Sequence, residues 1–169
     1  NKKALCERFG LHYDPTVPVI GIVSRLADQK GFDLIQEVLP DLMQLPLQLV
    51  VLGSGEKRYE EMFTKGAKKF KKKLAAHIGF DEELAHLIEA GSDMFLMPSK
   101  YEPCGLNQMY SLRYGTLPIV RATGGLADTV EDLLAKPKGG TGFVFERYNA
   151  KDMLKTIKAA VEMHPQQHA

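Results

Sequence analysis

Cysteine is scarce in this chain, and so are the residue groupings that usually hold metal ions. The two cysteines, Cys6 and Cys104, lie far apart in the sequence, which argues against a disulfide framework or a cysteine metal site. The five histidines have no metal-ligand spacing, and there is no Asp-x-Asp, the carboxylate pair that commonly binds a divalent cation beside a nucleotide. We therefore expect a protein of a reducing compartment that needs no metal or other cofactor.

The sequence also lacks a strong charge of either sign and any long hydrophobic run. Its net charge of +1 gives no reason to expect nucleic acid or an acidic membrane as a partner. No apolar stretch reaches membrane-spanning length, and residues 1–6 lack the apolar core of a signal peptide. With 169 residues, of which 44% are hydrophobic, we expect a single domain over 1–169. Since the chain begins without methionine inside a predicted helix, we expect it to be a piece of a longer protein.

What the sequence does contain is an alternation of short apolar strands and helices, repeated about six times. Strands are predicted at 17–23, 47–52, 74–78, 94–97, 117–120 and 142–145. Helices are predicted at 2–9, 32–42, from 56 onward, 82–89, 105–114, 126–134 and 150–163. Asp81 and Asn149 are predicted to cap the helices that follow them. This alternation is typical of an α/β protein, so we predict a doubly wound parallel sheet with helices on both faces.

The stretch Pro98–Gln108 joins the predicted strand 94–97 to the helix that follows it. In an open parallel sheet, ligands bind outside the carboxyl ends of the strands, where helix N-termini attract anions. The turn carries a carboxylate, Glu102, which would repel an anion. We therefore predict that Glu102 faces a polyol or a developing positive charge.

Other strand-to-helix turns should open onto the same edge of the sheet. One of them brings Arg25 and Lys30, two positive charges, while Gly105 and Gly124–Gly125 leave the backbone open to close approach. Cations, helix dipoles and bare backbone together predict a pyrophosphate site. Two further turns at this edge hold Gly53–Gly55 and Phe80.

Each of these features also has a structural explanation. Arg25 could pair with Asp28, and Gly53-x-Gly55 is common turn chemistry. Cys104 could be a nucleophile activated by a helix N-terminus or a small packing residue, and no histidine adjoins it in sequence to act as its base. The lysine-rich segment 65–73 could bind polyanions or glucan, but we favour a solvated helix face because few aromatic residues are interleaved.

Taken together, three motifs resemble those of bacterial glycogen synthases and plant starch synthases. In chain order they are Ser24-Arg25-Leu26-x-x-Gln29-Lys30-Gly31, Pro98-Ser99-x-x-Glu102-Pro103-Cys104-Gly105-Leu106-x-Gln108 and Thr123-Gly124-Gly125-Leu126-x-Asp128-Thr129-Val130. The resemblance spans nearly the whole chain. It implies the C-terminal, Rossmann-like, nucleotide-sugar-binding domain of a two-domain GT-B glycosyltransferase. Such an enzyme would transfer glucose from ADP-glucose to the non-reducing end of an α-1,4-glucan, with retention and without a metal.

The resemblance also implies roles for individual residues. Arg25 and Lys30 would hold the diphosphate and stabilise the departing ADP, and Glu102 would lie beside the donor glucose. Phe80, at a position where the family often has tyrosine, would stack on the adenine. Further donor contacts would come from the backbone after Glu102 and from the third motif, at Cys104, Gly105, Leu106, Thr123, Gly124 and Gly125.

Two absences bear on the resemblance. Many retaining GT-B enzymes have a second glutamate eight positions after the first, where this chain has Tyr110; this matches the glycogen and starch synthase pattern. The family's N-terminal domain, with its donor loop and its acceptor groove, is missing. We therefore expect the glucan to bind through that domain and the chain alone to be inactive. A cytoplasmic location is expected for a bacterial protein and a plastid for a plant one.

Other functions remain open at this point. The chain could be a non-catalytic nucleotide-sugar-binding module, or part of a glucosyltransferase that uses UDP-glucose. An NAD-dependent oxidoreductase is excluded, since Gly53-x-Gly55 lacks the third glycine of the dinucleotide fingerprint.

Overall fold

The computed structural model describes residues 1–167, and its elements confirm the predicted α/β class. The strands are β1 Val19–Val23, β2 Gln48–Gly53, β3 Leu74–Ile78, β4 Met94–Met97, β5 Leu117–Arg121 and β6 Phe143–Phe145. The α-helices are α1 Lys2–Phe9, α2 Phe32–Leu42, α3 Lys57–Lys69, α4 Glu82–Gly91, α5 Asn107–Arg113, α6 Gly124–Thr129 and α7 Ala150–Gln167. A 3-10 turn, Asp28–Lys30, precedes α2.

The strands form one six-stranded sheet in which every pairing is parallel. Their order across the sheet is β3-β2-β1-β4-β5-β6. The chain adds strands outward from β1 to β3, and it then returns to place β4 on the other side of β1, so the order of strands reverses between β1 and β4. Gly21 of β1 lies opposite Phe95 of β4 at this point. Such a reversal opens a crevice at the carboxyl ends of the two strands, because the connecting helices leave to opposite faces.

Apolar side chains of the strands alternate between two cores, one on each face of the sheet. The first core joins the sheet to α2, α3 and α7, for example through Phe32, Phe63 and Ile157. The second joins it to α1, α4 and α6, for example through Leu5 and Ile88. Burial on both faces explains why the strands read as continuous apolar runs in the sequence.

Helix ends follow the capping chemistry of the sequence. Asp81 accepts a hydrogen bond from the backbone N–H of Leu84 at the start of α4, and Asn149 accepts two at the start of α7. Both caps were predicted and are confirmed. None of the helices within residues 1–167 has the length and apolar character needed to cross a bilayer.

Several predicted boundaries are wrong, and three of them have a clear cause in the structure. Strand β1 begins at Val19 because Val17 closes a turn onto the carbonyl of Asp14. Helix α5 begins at Asn107, after Gly105 has adopted a left-handed φ of 68°. Helix α6 ends at Thr129, since the segment 130–134 pairs instead with the chain before β6.

Candidate functional site

A cavity of about 490 Å³ lies at the reversal between β1 and β4, between the segments that follow these strands. The turn 28–31 and the segment 98–101 lie against each other: the backbone N–H of Lys100 donates to the carbonyl of Gln29 at 2.8 Å. Gly31, with a φ of 86°, allows this approach, because a Cβ there would overlap the backbone of Pro98. The fold therefore brings two motifs that are about 70 residues apart in the sequence to one site.

Lys30 and Glu102 face each other in this cavity. The Lys30 ammonium donates to a Glu102 carboxylate oxygen at 2.7 Å, and the Ser99 hydroxyl donates to the same oxygen at 3.1 Å. The side chains are 26% and 12% exposed, so the pair is partly shielded from water. The sequence predicts separate partners for the two residues, an anion for Lys30 and a sugar for Glu102. In the structure they are partners of each other.

Arg25 is an exposed cation at the mouth of the cavity. The suggested pairing with Asp28 is wrong, because the Asp28 carboxylate accepts hydrogen bonds from Arg58 and the Tyr59 hydroxyl. The bond from Tyr59 also holds the pKa of Asp28 below its ordinary value. Within residues 1–167, Arg25 makes no ion pair, so its charge is available to a ligand.

A second cavity, of about 300 Å³, adjoins the first. Arg25 and Asn107 line both cavities, and the Asn107 amide donates to the carbonyl of Val23 at 3.0 Å, joining α5 to β1. Gly53 and Phe80 line only the second cavity, and the Phe80 ring is 88% exposed. An exposed ring beside an apolar recess has the geometry of a stacking surface for a planar group.

The backbone after Glu102 divides between the cavity and the protein interior. Gly105 and Leu106 line the first cavity, and α5 begins beside them without a side-chain cap, which leaves N–H groups unpaired. Cys104 is exposed and does not line the cavity. The Gln108 amide donates to the carbonyls of Cys104 and Gly105, both at 3.1 Å, so these oxygens already have partners.

Thr123, Gly124 and Gly125 lie outside the lining of both cavities. A Cβ at Gly124 would overlap the carbonyl oxygen of Glu102, and one at Gly125 would overlap that of Cys104. The Gly125 N–H also donates to the carbonyls of Glu102, at 3.0 Å, and of Pro103, at 3.1 Å. These glycines therefore admit the turn that carries Glu102, whereas the sequence predicts that they admit a ligand.

Sequence reasoning assigned no role to three residues that hold the site together: Ser99, Asn107 and Arg121. Ser99 and Asn107 lie within or beside the recognised motif, as short polar residues where an apolar strand gives way to a helix. Arg121 is a charged residue at the end of the buried strand β5, and its guanidinium donates to the backbone carbonyl of Ser99 at 2.8 Å. The sequence signal that could have revealed this role is a long cationic side chain at the end of a buried strand.

The lysine-rich segment 65–73 lies at the amino edge of the sheet, opposite the cavities, because it comprises the end of α3 and the turn that leads into β3. Its lysines are exposed except for Lys73, whose ammonium donates to the carbonyls of Met43 and Leu45, both at 2.6 Å. This arrangement supports the solvated helix face. Among residues 1–167, no three His, Cys, Asp or Glu side chains are grouped closely enough to hold a metal ion.

The two cavities combine cationic, anionic and apolar groups in a fixed order. The exposed Arg25 stands where they meet, the Lys30–Glu102 pair lies in the larger cavity, and Phe80 lies beside the smaller one. Such an order suits a ligand with a planar end, a central anion and a polyol end.

A family model for glycosyl transferases group 1 matches residues 7–169. Among curated relatives, the glycogen synthase of Anaeromyxobacter dehalogenans is 54% identical over 162 residues, and that of Koribacter versatilis is 55% identical over 163. Each match covers 96% of this chain but 34% of the relative, so the chain spans about one third of their length.

Solved structures agree with these relatives. The catalytic domain of starch synthase IV from Arabidopsis thaliana, bound to ADP and acarbose, superposes with a TM-score of 0.85 at 34% identity, covering 96% of this chain and 34% of that one. The C-terminal domain of a group 1 glycosyl transferase from Francisella tularensis shares the fold, with a TM-score of 0.73 at 15% identity, covering 96% and 83%. The predicted fold and the resemblance to glycogen and starch synthases are confirmed, and this chain belongs to the group 1 glycosyltransferases.

Proposed function

We propose that this chain is the donor-binding part of a glycogen or starch synthase that transfers glucose from ADP-glucose to the non-reducing end of an α-1,4-glucan. The observation that carries the proposal is the Lys30–Glu102 pair, at 2.7 Å, in a cavity at the β1–β4 reversal with the unpaired Arg25 at its mouth. The similarity to glycogen synthases and to a starch synthase supports the choice of this reaction within the family.

The donor would lie along the two cavities. Phe80 would stack on the base in the smaller cavity, and Arg25 would bind the diphosphate where the cavities meet. Lys30 would bind the phosphate next to the sugar, and Glu102 the glucose itself. An ammonium has three donors, so Lys30 can contact Glu102 and a phosphate oxygen together.

In the transfer step, the bond from glucose C1 to the diphosphate breaks while the acceptor hydroxyl forms a new C1–O bond on the same face. The hydroxyl proton passes to the phosphate oxygen that leaves. Arg25 and Lys30 stabilise the charge that develops on the diphosphate, and this part of the step needs no metal. Glu102 orients the sugar and favours the positive charge of an oxocarbenium-like transition state.

Backbone groups after Glu102 would complete the donor site. Gly105 and Leu106 line the larger cavity and can contact the sugar and phosphate. Gly124 and Gly125 would support the site indirectly, because the turn that carries Glu102 packs on them. Cys104 lies in that turn, and Thr123 precedes the two glycines. The glucan would bind mainly to a part of the enzyme outside this chain, since the chain spans one third of its relatives. Two free cysteines support a location in a reducing compartment, the cytoplasm of a bacterium or a plastid.

Calorimetric titration with ADP tests the donor site. We expect weak but measurable binding of ADP, tighter than that of UDP, as the ADP-bound starch synthase suggests. Arg25→Ala should weaken ADP binding about 10-fold or more, because a charge-assisted hydrogen bond to the diphosphate is lost. The control is Arg147→Ala, which removes an exposed arginine paired with Asp152. No binding at millimolar ADP would contradict the proposal.

The activity requires a larger protein. We expect the chain alone to transfer no glucose, and a chimera in which it replaces the matching third of the Anaeromyxobacter enzyme to extend glycogen with radiolabelled ADP-glucose. A chimera that folds and binds ADP but transfers nothing would favour a non-catalytic binding module. Transfer from UDP-glucose but not ADP-glucose would replace the donor in the proposal.

A further inference from the structure

Arg121 makes an unusual set of contacts at the carboxyl end of β5. Its guanidinium donates to the backbone carbonyls of Ser99, at 2.8 Å, of Lys100, and of Glu146, at 3.3 Å. It lines neither cavity. Three nitrogens of one side chain therefore contact two segments of main chain, and one of these segments, 99–100, leads directly to Glu102.

Tyr148 packs against Arg121 and connects it to the turn that carries Lys30. The Arg121 guanidinium carbon is 5.6 Å from the centre of the Tyr148 ring. The Tyr148 hydroxyl donates to the Asp33 carboxylate and, at 3.4 Å, to the carbonyl of Asp28. Burial, together with the bond to Asp33, raises the pKa of Tyr148, so its hydroxyl remains a donor at neutral pH. Arg121 and Tyr148 thus contact the segments that carry Glu102 and Lys30.

The two residues whose carbonyls Arg121 binds contact Glu102 and the turn that carries Lys30. Ser99, whose carbonyl Arg121 holds, donates its hydroxyl to Glu102 at 3.1 Å. Lys100, whose carbonyl Arg121 also holds, donates its N–H to Gln29, the residue before Lys30. The segment 99–100 has no regular secondary structure, so its position depends on these few hydrogen bonds.

We propose that Arg121 is a positioning residue that sets the Glu102 carboxylate against Lys30 and the donor sugar by holding the carbonyls of Ser99 and Lys100. The proposal rests on the donor-binding function proposed above. An arginine is required because its planar fork reaches several acceptors in fixed directions, whereas a lysine offers a single nitrogen. Arg121→Lys should therefore show nearly the same loss of amide protection at Lys100, and of kcat, as Arg121→Met.

Hydrogen exchange on this chain tests the anchoring without any assumption about activity. In Arg121→Met, the amide of Lys100 should exchange about 10-fold faster or more, because its hydrogen bond to Gln29 depends on the anchored segment. Amides in the centre of β1 and β2 should keep their protection. The matched control is Arg147→Met, which removes a neighbouring arginine that does not contact segment 98–102. Unchanged exchange at Lys100 in Arg121→Met would overturn the proposal.

Kinetics in the chimera test whether Arg121 acts through Glu102. We expect Arg121→Met to lower kcat about 10- to 100-fold with the KM for ADP-glucose changed less than about 3-fold. Arg147→Met should leave both constants unchanged. In a double-mutant cycle, adding Arg121→Met to Glu102→Gln should cost little more than Glu102→Gln alone, since the anchored group has already lost its function.

The outcomes separate the two proposals. Additive losses in the cycle would mean that Arg121 acts independently of Glu102, and the positioning role would be wrong. A chimera with the unaltered chain that transfers no glucose would contradict the proposed function, while hydrogen exchange would still decide whether Arg121 anchors the segment.

Discussion

Glu102 alters the charge of the proposed donor site in two ways. Its carboxylate neutralises Lys30, and it also places a negative charge beside the site proposed for the diphosphate. Both effects weaken the binding of an anion. A carboxylate that weakens donor binding benefits the enzyme only if it lowers the free energy of the transition state by more than it raises that of the bound donor.

Glu102→Gln should therefore separate binding from catalysis. We expect the variant chain to bind ADP about 2- to 10-fold more tightly, because Lys30 is released and a repulsive charge is lost. The same substitution in the chimera should lower kcat about 100-fold or more. Calorimetry and steady-state kinetics measure the two effects.

Glu131→Gln is the matched control for this variant. It also removes an acid paired with a lysine, Lys136, at 3.1 Å, but on the exposed surface. Glu131→Gln should change neither the Kd for ADP nor kcat. If Glu102→Gln bound ADP no better than the unaltered chain and kept near-native turnover, the role given to Glu102 would be wrong.

At the scale of elements, α6 shows how a glycine motif can act through packing. The pair Gly124–Gly125 opens the helix, and the absence of side chains lets the turn 102–104 lie directly on it. The sequence pattern of a glycine pair after a strand is the same whether a ligand or a neighbouring loop approaches. Only the position of the turn distinguishes the two.

Gly125→Ala tests this packing. The added Cβ would overlap the carbonyl oxygen of Cys104, and we expect it to lower the free energy of unfolding by about 1–3 kcal/mol. Gly139→Ala is the control, because a Cβ there has no neighbour within 4 Å. It should change stability by less than about 0.5 kcal/mol. Urea unfolding followed by circular dichroism compares them, and equal midpoints for the two variants would contradict the interpretation.

At the scale of the whole molecule, one buried acid links stability to pH. Glu89 of α4 is 3% exposed, and one of its carboxylate oxygens has no hydrogen-bond partner within residues 1–167. Burial raises its pKa above the ordinary value of 4.5, with His86 opposing the shift. The folded chain thus holds this proton to a higher pH than the unfolded chain does. Folding takes up a proton in that range, and stability falls as the pH rises above 4.5.

Glu89→Gln removes this dependence. We expect the variant to be more stable than the unaltered chain at about pH 8, with the difference shrinking as the pH is lowered toward 4.5. Urea midpoints across the pH range measure it. Glu162→Gln, an exposed acid on α7, should show a difference that does not vary with pH. A gain for Glu89→Gln that stayed constant across the range would rule out titration of Glu89 as its cause.

Patterns among neighbouring residues predicted the local features of this protein. Hydrophobic runs of strand length and apolar residues at helical spacing are properties of neighbouring residues, so they predicted the class of the fold and most of its elements. The capping roles of Asp81 and Asn149 also depend on residues within three positions, and both were predicted. Three motifs identified the family and the turns at which the site lies.

Which of these turns meet, and which of their charges pair, depends on contacts between distant parts of the chain. The ion pair of Lys30 with Glu102 joins residues 72 positions apart, and the hydrogen bond from Arg121 to Ser99 joins residues 22 apart. The order of strands brings β1 beside β4, and that adjacency is not encoded in the neighbours of either strand. The end of α6 at Thr129 has the same origin, since pairing of the segment 130–134 with the chain before β6 outweighs its helical spacing. Long-range contacts therefore decided the geometry of the site, because its charged groups have partners that no local pattern specifies.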